Sequence, residues 1–306
     1  MTDRRRTGLL LALTTAVISG FAVFLNAYGV RAVGNATTYT TLKNGVALLS
    51  LVAVVAGVGS ASGARGRAAL TRPTTRGQWW GLTVVGVLGG AVAFVLFFEG
   101  LARASSTNAA FLHKTLLVWV ALLAVPLLHE RLGTWHVVAI AALVVGQVGL
   151  AGGVSSLVGV GQLMVLAATL LWAVEVVVAK RLLADLSSWT VALARMGIGS
   201  AVLVAWSALR GELGALLGLT AVQWGWVLLT GVVLAGYVGT WFAALARAQA
   251  VDVTAVLVVG AVVTTVLAAA VQGVPLVPQL GWLALVLAGG TLVAVPAVRE
   301  PREVST

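Results

Sequence analysis

Long apolar stretches separated by short polar clusters recur along this sequence and restrict what it can fold into. Each stretch runs for about twenty residues, the length that an α-helix needs to cross about 30 Å of hydrocarbon. Over residues 137–150 apolar side chains cover every side of a helix, whereas the strands of a membrane barrel alternate polar and apolar residues. Charged residues make up only 9% of the chain, against about a quarter in soluble domains. The sequence therefore predicts an all-α polytopic membrane protein.

Ten transmembrane helices can be placed on these stretches. The first apolar run follows a basic segment, but no small-residue cleavage site leads from it into a soluble domain. We therefore expect this run to be retained as a helix and not removed as a signal peptide. The predicted helices cover residues 9–30, 36–58, 78–102, 106–128, 134–152, 158–180, 188–209, 222–246, 253–272 and 280–298.

The distribution of Lys and Arg predicts the orientation of the chain, because cationic loops are retained on the cytoplasmic side. With the N-terminus inside, the outer loops hold only Arg31, Arg103 and Arg210. We therefore expect a multi-pass protein of the inner (plasma) membrane with both termini in the cytoplasm. This topology accounts for the net charge of +10, so we expect no nucleic-acid partner. The inner segments hold Arg4, Arg5, Arg6, Arg65, Arg67, Arg72, Arg76, Arg131, Lys180, Arg181, Arg247, Arg299 and Arg302.

Short internal matches indicate that the chain contains a duplication. Leu-Ala-Arg-Ala at 101–104 recurs at 245–248, and Trp-Gly at 80–81 recurs at 224–225. The matches occupy the same places in the order of helices in the two halves. We therefore predict two five-helix units.

A unit with an odd number of helices reverses its direction when it is copied in tandem. The two units, predicted at 1–153 and 154–306, then form an inverted repeat. Two equivalent halves of opposite orientation suit alternating access, in which a central cavity opens first to one side of the membrane and then to the other.

A series of short motifs marks the fourth, fifth and sixth predicted helices. Leu-Ala-Arg-Ala-Ser-Ser-Thr at 101–107 leads into a helix that contains Pro126, and His-Glu-Arg-Leu-Gly follows at 129–133. Gly-Gln-Val-Gly stands at 146–149 and Trp-Ala at 172–173. This pattern resembles the drug/metabolite transporter superfamily of the EamA type, in which an acidic E-R-L tag follows the fourth helix.

The resemblance covers nearly the whole chain, although Gly-Val-Pro-Leu at 273–276 stands near where the second unit would carry its acidic tag. It implies a transporter of small metabolites, often an exporter of amino acids or other polar solutes. We therefore predict a secondary active exporter of a small polar metabolite such as an amino acid, with protons as the candidate coupling ion. A multidrug or lipophilic-cation exporter is the alternative, followed by a membrane-embedded enzyme or an accessory protein.

Four ionisable residues are predicted to form a polar cluster in the outer half of the membrane. A charge at the bilayer centre costs roughly 2.5–3.5 kcal/mol, so each such residue needs a partner, water or a function. Glu99, His113 and Lys114 flank one outer turn, and Lys43 enters to a similar depth. The cluster would favour an anionic group such as a carboxylate. A structural Glu99–Lys114 ion pair, a Lys43 that extends to the interface and a packed His113 are the alternatives.

A second pair is predicted nearer the inner side. Glu175 and Arg195 lie at similar depth in the sixth and seventh helices. They form either a structural salt bridge or a gate, and Glu99 or Glu175 is the candidate for proton coupling. Lys43 and Arg195 occupy matching positions in the inverted units, so one is expected toward each face.

Neutral side chains complete the candidate binding site. Asn26, Tyr28 and Trp119 could line the cavity and offer hydrogen bonds and an aromatic surface to a small-molecule substrate. Tryptophans near the predicted helix ends are interpreted as interfacial anchors within the lipid bilayer.

Several function classes lack the residues they need. The chain has no Cys and only three His, so we expect no thiolate metal site and no cofactor. It carries no nucleotide-binding P-loop, no HExxH and no GxSxG motif. We therefore expect no enzymatic activity. Because one chain holds a complete inverted pair, we expect a monomer or a homodimer.

Overall fold

The computed structural model describes residues 2–61, 70–104, 106–152 and 159–299 of the 306-residue chain. Within these residues, eight helices are long and apolar enough to cross a membrane, and two shorter apolar helices complete ten spans. The chain is a multi-pass membrane protein, as its sequence predicts. The predicted boundary between the units, at 153/154, and the loop arginines Arg65, Arg67 and Arg302 lie outside the described residues.

Each unit contributes five spans, some of which are interrupted. The first unit contains α1 (Thr2–Val33), α2 (Ala36–Ala61), α3 (Arg76–Val84), a π-helix (Val85–Val92), α4 (Ala93–Arg103), α5 (Ser106–Lys114), α6 (Leu116–Leu128) and α7 (Thr134–Leu150). The second contains α8 (Val160–Leu182), α9 (Ser188–Leu209), the short α10 (Leu213–Leu217), α11 (Ala221–Leu245), α12 (Ala250–Leu257), α13 (Gly260–Gln272), a 3₁₀ turn (Val277–Gln279) and α14 (Leu280–Arg299).

The fourth span of each unit is broken at the same place, which the sequence did not predict. In the first unit the break falls at Thr115, whose N–H is shared between two carbonyls of the preceding turn. In the second it falls at Val258 and Val259, whose N–H groups bond three residues back. Such tighter bonds interrupt an α-helix without leaving polar groups unpaired. Because the breaks match, the duplication extends to local backbone geometry.

The third spans begin alike and then differ. Thr75 and Thr220 each form a capping box with a glutamine three residues later. In the first unit Leu101, the leucine of Leu-Ala-Arg-Ala, lies 26 residues after the capping Thr75. In the second unit Leu245 lies 25 residues after Thr220. Aligning the capping threonines pairs Trp224 with Trp79, so the Trp-Gly match at 80–81 and 224–225 is shifted by one residue relative to the structure. One inserted residue is what a π-helical segment accommodates. The first unit therefore has an α–π–α span where the second has a continuous α11.

The two units pack against each other through matching glycines. An added Cβ on Gly86 would lie 2.5 Å from the Cβ of Ile198, and one on Gly231 would lie 2.6 Å from the Cβ of Val46. These contacts join the third span of each unit to the second span of the other. Further packing of α1 on α11 and of α4 on α8 brings the polar residues of both units to one central interface.

Candidate functional site

A cavity of about 110 Å³ lies between the two units and holds most of the charged groups buried in the spans. We call it the chamber. It is lined by Lys43 from α2, His113 from α5, Glu175 from α8 and Arg195 from α9, together with apolar and aromatic side chains of α1, α4 and α11. Both halves of the chain therefore contribute to one polar space.

A second and larger cavity, of about 570 Å³, continues from the chamber toward one end of the bundle. We call it the vestibule. The two cavities share Val23, Asn26, Phe97, Phe98 and His113, which form a waist between them. The vestibule reaches Arg31 beside the α1–α2 turn, at the end opposite the N-terminus. The chamber thus connects toward that end.

Lys43 is buried in the chamber and is held by aromatic rings. Its Nζ lies 4.5 Å from the ring centroid of Phe98, 5.1 Å from that of Tyr39 and 5.5 Å from that of Phe94. Asn26 Oδ1 accepts a hydrogen bond from it at 3.4 Å. Rings attract an ammonium group but do not neutralise it. Within the described part of the chain, Lys43 forms no ion pair.

Arg195, in contrast, has its charge matched. It forms an ion pair with Glu175, and its Nη2 donates to the carbonyl of Gly89 at 3.1 Å. The indole Nε1 of Trp172 donates to the same carbonyl, also at 3.1 Å. Gly89 lies in the π-helix, where the altered backbone pattern makes a carbonyl available to side chains. The inserted residue of the first unit therefore helps to fix the arginine of the second.

Aromatic side chains form most of the remaining wall, and sequence analysis missed them. Phe97 and Phe98 each lie about one helical turn after Phe94 on α4, so the three rings share a face. The His113 ring lies 5.3 Å from that of Phe97 and 4.9 Å from that of Trp172. The i, i+3, i+4 spacing of the phenylalanines was the available signal, but in an apolar span it resembles ordinary packing.

A second polar cluster joins several helices at the end of the bundle that carries the N-terminus. Asp252, whose side chain is fully buried, pairs with Arg5 at 3.1 Å and with His136 Nε2 at 3.1 Å. The backbone N–H of Gly133 points at His136 Nδ1. Asp252 thus joins α12 to α1 and α7. Sequence analysis did not select it, because it stands directly before the predicted span at 253–272 and was taken as part of a loop.

Backbone carbonyls and N–H groups also take part in this cluster. Lys180 donates to the carbonyls of Leu245 and Ala248, both at 2.6 Å. Glu130 accepts from the N–H groups of Ala250 at 2.6 Å and Val251 at 3.1 Å, and so caps the start of α12. Burial raises the pKa of the Glu130 carboxyl above its ordinary value, although these hydrogen bonds oppose the shift. The acidic residue of the His-Glu-Arg-Leu-Gly motif is therefore a helix cap between the two units.

The predicted outer cluster forms only in part. His113 and Lys114 line the vestibule, and Lys114 Nζ has no hydrogen-bond partner among the described residues. Glu99 instead bonds to Arg103 one turn later and lines a separate groove on the outside of the bundle. The alternative of a structural Glu99–Lys114 ion pair is therefore also wrong, because Glu99 faces the outside of the bundle whereas Lys114 lines the vestibule.

Other predicted site residues also differ in position. Lys43 and Arg195 line the same chamber, whereas one was expected toward each face. Each is seven residues into its helix, about 10 Å from opposite ends, and both long side chains reach the same chamber. Tyr28 stacks on Trp226 and Trp119 bonds to Thr115, and neither lines the chamber or the vestibule. Asn26 lines both cavities, as expected.

Comparison with known proteins identifies the family. The EamA-like transporter family matches the chain twice, over residues 6–152 and 159–295. The fold is similar to that of 29 chains of solved structures, one of which, described only as "Crystal structure of protein", is 19% identical, with a TM-score of 0.73 over 96% of this chain and 98% of that one. Among curated proteins no match to the sequence was found. Because the two matched segments cover α1–α7 and α8–α14, the chain belongs to the EamA-like transporter family.

Proposed function

We propose that the protein is a secondary active exporter of a small metabolite that carries a carboxylate, such as an amino acid, and that the chamber is its binding site. One observation carries this proposal: of the two cations in the chamber, Arg195 is paired with Glu175, whereas Lys43 forms no ion pair within the described residues. An anionic group on the solute is the missing partner of Lys43.

The energetic argument follows from the cost of a buried charge. An isolated ion in the membrane interior is unfavourable by roughly 2.5–3.5 kcal/mol, and a bound carboxylate offsets that cost. Asn26 and His113 at the waist can hydrogen-bond a polar solute, since His113 Nδ1 has no partner among the described residues. The ammonium of an amino acid would lie toward Glu175 and the aromatic wall, which attracts cations.

Alternating access provides the mechanism. The vestibule end is open to the chamber, and the N-terminal end is closed by the contacts of Asp252, Glu130 and Lys180. If the basic N-terminal end lies in the cytoplasm, the vestibule faces the outside of the inner membrane, and this arrangement is an outward-open state. Export requires the reverse state, in which those contacts separate. Exchange of a proton at Glu175, which would weaken its pair with Arg195, is the proposed coupling step.

A lipophilic-cation exporter is the second candidate, and the aromatic wall favours it. Phe94, Phe97 and Trp172 could stack on a flat cation beside Glu175. Lys43 distinguishes the two candidates, because its ammonium repels a cation and attracts a carboxylate. The decisive test therefore varies the charge of the solute and of Lys43 together.

The test uses purified protein in proteoliposomes with an imposed proton gradient. A panel of labelled amino acids first identifies a transported solute, which is then compared with its methyl ester, a molecule of similar shape without the carboxylate. Wild type should transport the free acid at least about tenfold faster than the ester. Lys43→Met should remove this preference, and Lys43→Arg, which keeps the charge, should retain it. Equal transport of acid and ester by wild type, or an undiminished preference in Lys43→Met, would refute the proposed role of Lys43.

A further inference from the structure

A groove on the outside of the bundle has the form of a binding site for one lipid chain. It has a volume of about 420 Å³ and runs between α4, α8 and α9. We call it the lateral groove. Its wall is apolar and consists of Ala91, Val92, Val95, Leu96, Met164, Val202, Leu203 and Trp206, and its charged residues lie at one end. It is separate from the chamber and the vestibule, with which it shares no lining residue.

The length of the lateral groove matches one leaflet of a bilayer. From Ala91 to Arg103 the helical rise is about 18 Å, compared with about 15 Å for half of the hydrocarbon layer. The groove therefore runs from near the bilayer midplane to the level of the lipid headgroups. Val92 and Trp206, which are 36% and 39% exposed, face outward along it. In a membrane an apolar groove of this shape accommodates an acyl chain.

Glu99, Arg103 and Arg210 line the charged end of the groove, and Glu212 adjoins this end through its ion pair with Arg210. Arg103 pairs with Glu99 at 2.5 Å, and Arg210 pairs with Glu212 at 2.9 Å. The pKa of Arg210 is raised, chiefly by its hydrogen bond to Glu212, and Glu99 contributes in the same direction. Arg210 also lies over the Trp206 ring at 5.9 Å. The rim is therefore neutral in total and offers charges of both signs.

Two details indicate that this rim is more than a structural ion pair. Glu212 Oε2 is buried and has no hydrogen-bond partner among the described residues, so it can accept another bond. In the second unit Arg247, the counterpart of Arg103, donates to the backbone of Ala243, and no carboxylate stands in the place of Glu99. Glu99 is thus specific to this groove and has no counterpart in the second unit.

We propose that the lateral groove binds a phospholipid with a primary ammonium headgroup, of the phosphatidylethanolamine type. One acyl chain fills the groove, the phosphate contacts Arg103 and Arg210, and the ammonium donates to Glu99 and to the free oxygen of Glu212. An anionic headgroup without an ammonium would leave both carboxylates unmatched. A quaternary choline headgroup has no N–H to donate to Glu212.

This site is independent of the transported solute, and its test measures lipid binding alone. Delipidated full-length protein is mixed with phosphatidylethanolamine, phosphatidylcholine and phosphatidylglycerol of identical chains in equal amounts, and the bound lipids are counted by native mass spectrometry. Wild type should retain the ethanolamine lipid at least about fivefold more than either competitor. Glu99→Gln combined with Glu212→Gln should abolish the preference over the choline lipid. Val202→Trp, which fills the groove, should reduce the retention of all three lipids.

Arg247→Gln is the matched control, since it removes the counterpart arginine at the other end of the bundle, and it should retain the wild-type preference. Equal retention of ethanolamine and choline lipids by wild type would overturn the proposal. So would an Arg103→Gln variant that binds lipid no differently from Arg247→Gln, because the protein would then hold only surrounding bulk lipid. The wild-type comparison remains decisive even where a variant fails to fold.

Discussion

Lys43 and Arg195 stand at matching positions in the two units, yet their surroundings differ. Each lies seven residues into the second span of its unit, and both side chains enter the chamber. Arg195 has Glu175 and the Gly89 carbonyl as partners, whereas Lys43 has aromatic rings and one amide oxygen. The comparison shows that one repeated cation is matched by a carboxylate, whereas the other has no ion-pair partner among the described residues and is the one proposed to bind the solute.

The third spans explain this difference in physical terms. Gly89 belongs to the π-helix of the first unit, which packs on α9, the helix of Arg195. The corresponding α11, which packs on the helix of Lys43, is continuous and uses its own carbonyls within the helix. In a continuous helix each carbonyl in the middle already accepts a hydrogen bond from the N–H four residues later, so it is less available to a side chain of another helix. The extra residue therefore creates a fixed arginine on one side of the chamber only.

The largest expected effect comes from removing each of the two cations in turn. Arg195→Met leaves Glu175 buried without a partner, so the free energy of unfolding should fall by about 3–5 kcal/mol. Lys43→Met removes a charge that has no ion-pair partner among the described residues, and the protein should be as stable as wild type or more stable. Thermal unfolding of both variants in the same detergent measures the difference.

Transport of the free acid should fall in both variants, so the stability of the fold and not the transport rate separates the two roles. Glu175→Gln combined with Arg195→Met is the control, because removing both charges should restore most of the lost stability. If Lys43→Met were destabilised as much as Arg195→Met, the distinction between a structural and a ligand-binding cation would be wrong.

The sequence predicted the ten spans and the repeat because hydropathy and the order of helices can be read from each segment without knowing which helices touch. It also placed Glu175 and Arg195 at a common depth, and they form an ion pair. It failed for Glu99, since depth follows from position along a helix whereas the direction of a side chain depends on packing between helices. Glu99 shares the level of Lys114 but bonds to Arg103 on the other side of α4.

The interrupted spans were missed for a different reason. Val258 and Val259 break a helix within an apolar run that looks uniform in sequence. The π-helix depends on one inserted residue, which becomes visible only when the capping box and Leu-Ala-Arg-Ala are aligned together. Asp252 was overlooked because its partners, Arg5 and His136, are distant in sequence. These features depend on contacts between the units, which single segments do not contain.

The two ends of the pathway provide a second comparison and a smaller expected effect. Glu130 follows α6 and caps α12, whereas Val274, its counterpart after α13, has no carboxylate. Glu130→Ala removes two hydrogen bonds to a carboxylate and should destabilise the state that is closed at the N-terminal end by about 1.5–3 kcal/mol relative to the state that is open there. The population open at that end should then rise roughly tenfold or more.

Because the chain contains no cysteine, single introduced cysteines report the opening of each end. In the Glu130→Ala background, a membrane-impermeant maleimide should label Ala248→Cys, at the closed end, faster than in wild type. It should label Ala102→Cys, in the vestibule, more slowly, since the two ends open alternately. Faster labelling at both positions would indicate local unfolding and would contradict alternating access.

The smallest effect tests whether the inserted residue of the π-helix produces the difference between the units. Deleting Val87, a half-buried residue of the π-helix, should convert the third span to a continuous helix like α11 and withdraw the Gly89 carbonyl from Arg195. The side chains on α3 and α4 should keep their directions, because the third span of the second unit already covers the same distance with one residue fewer. The transport rate should fall about fivefold, equivalent to about 1 kcal/mol, while the protein remains folded.

Deleting Val233 from α11 is the matched control for this prediction. That helix has no spare residue, so the deletion turns every later side chain by about 100° and should prevent folding. A Val87 deletion that transports at the wild-type rate would mean that the Gly89 carbonyl is dispensable to Arg195. The two cations would then owe their different roles to Glu175 alone, which stands near Arg195 and pairs with it.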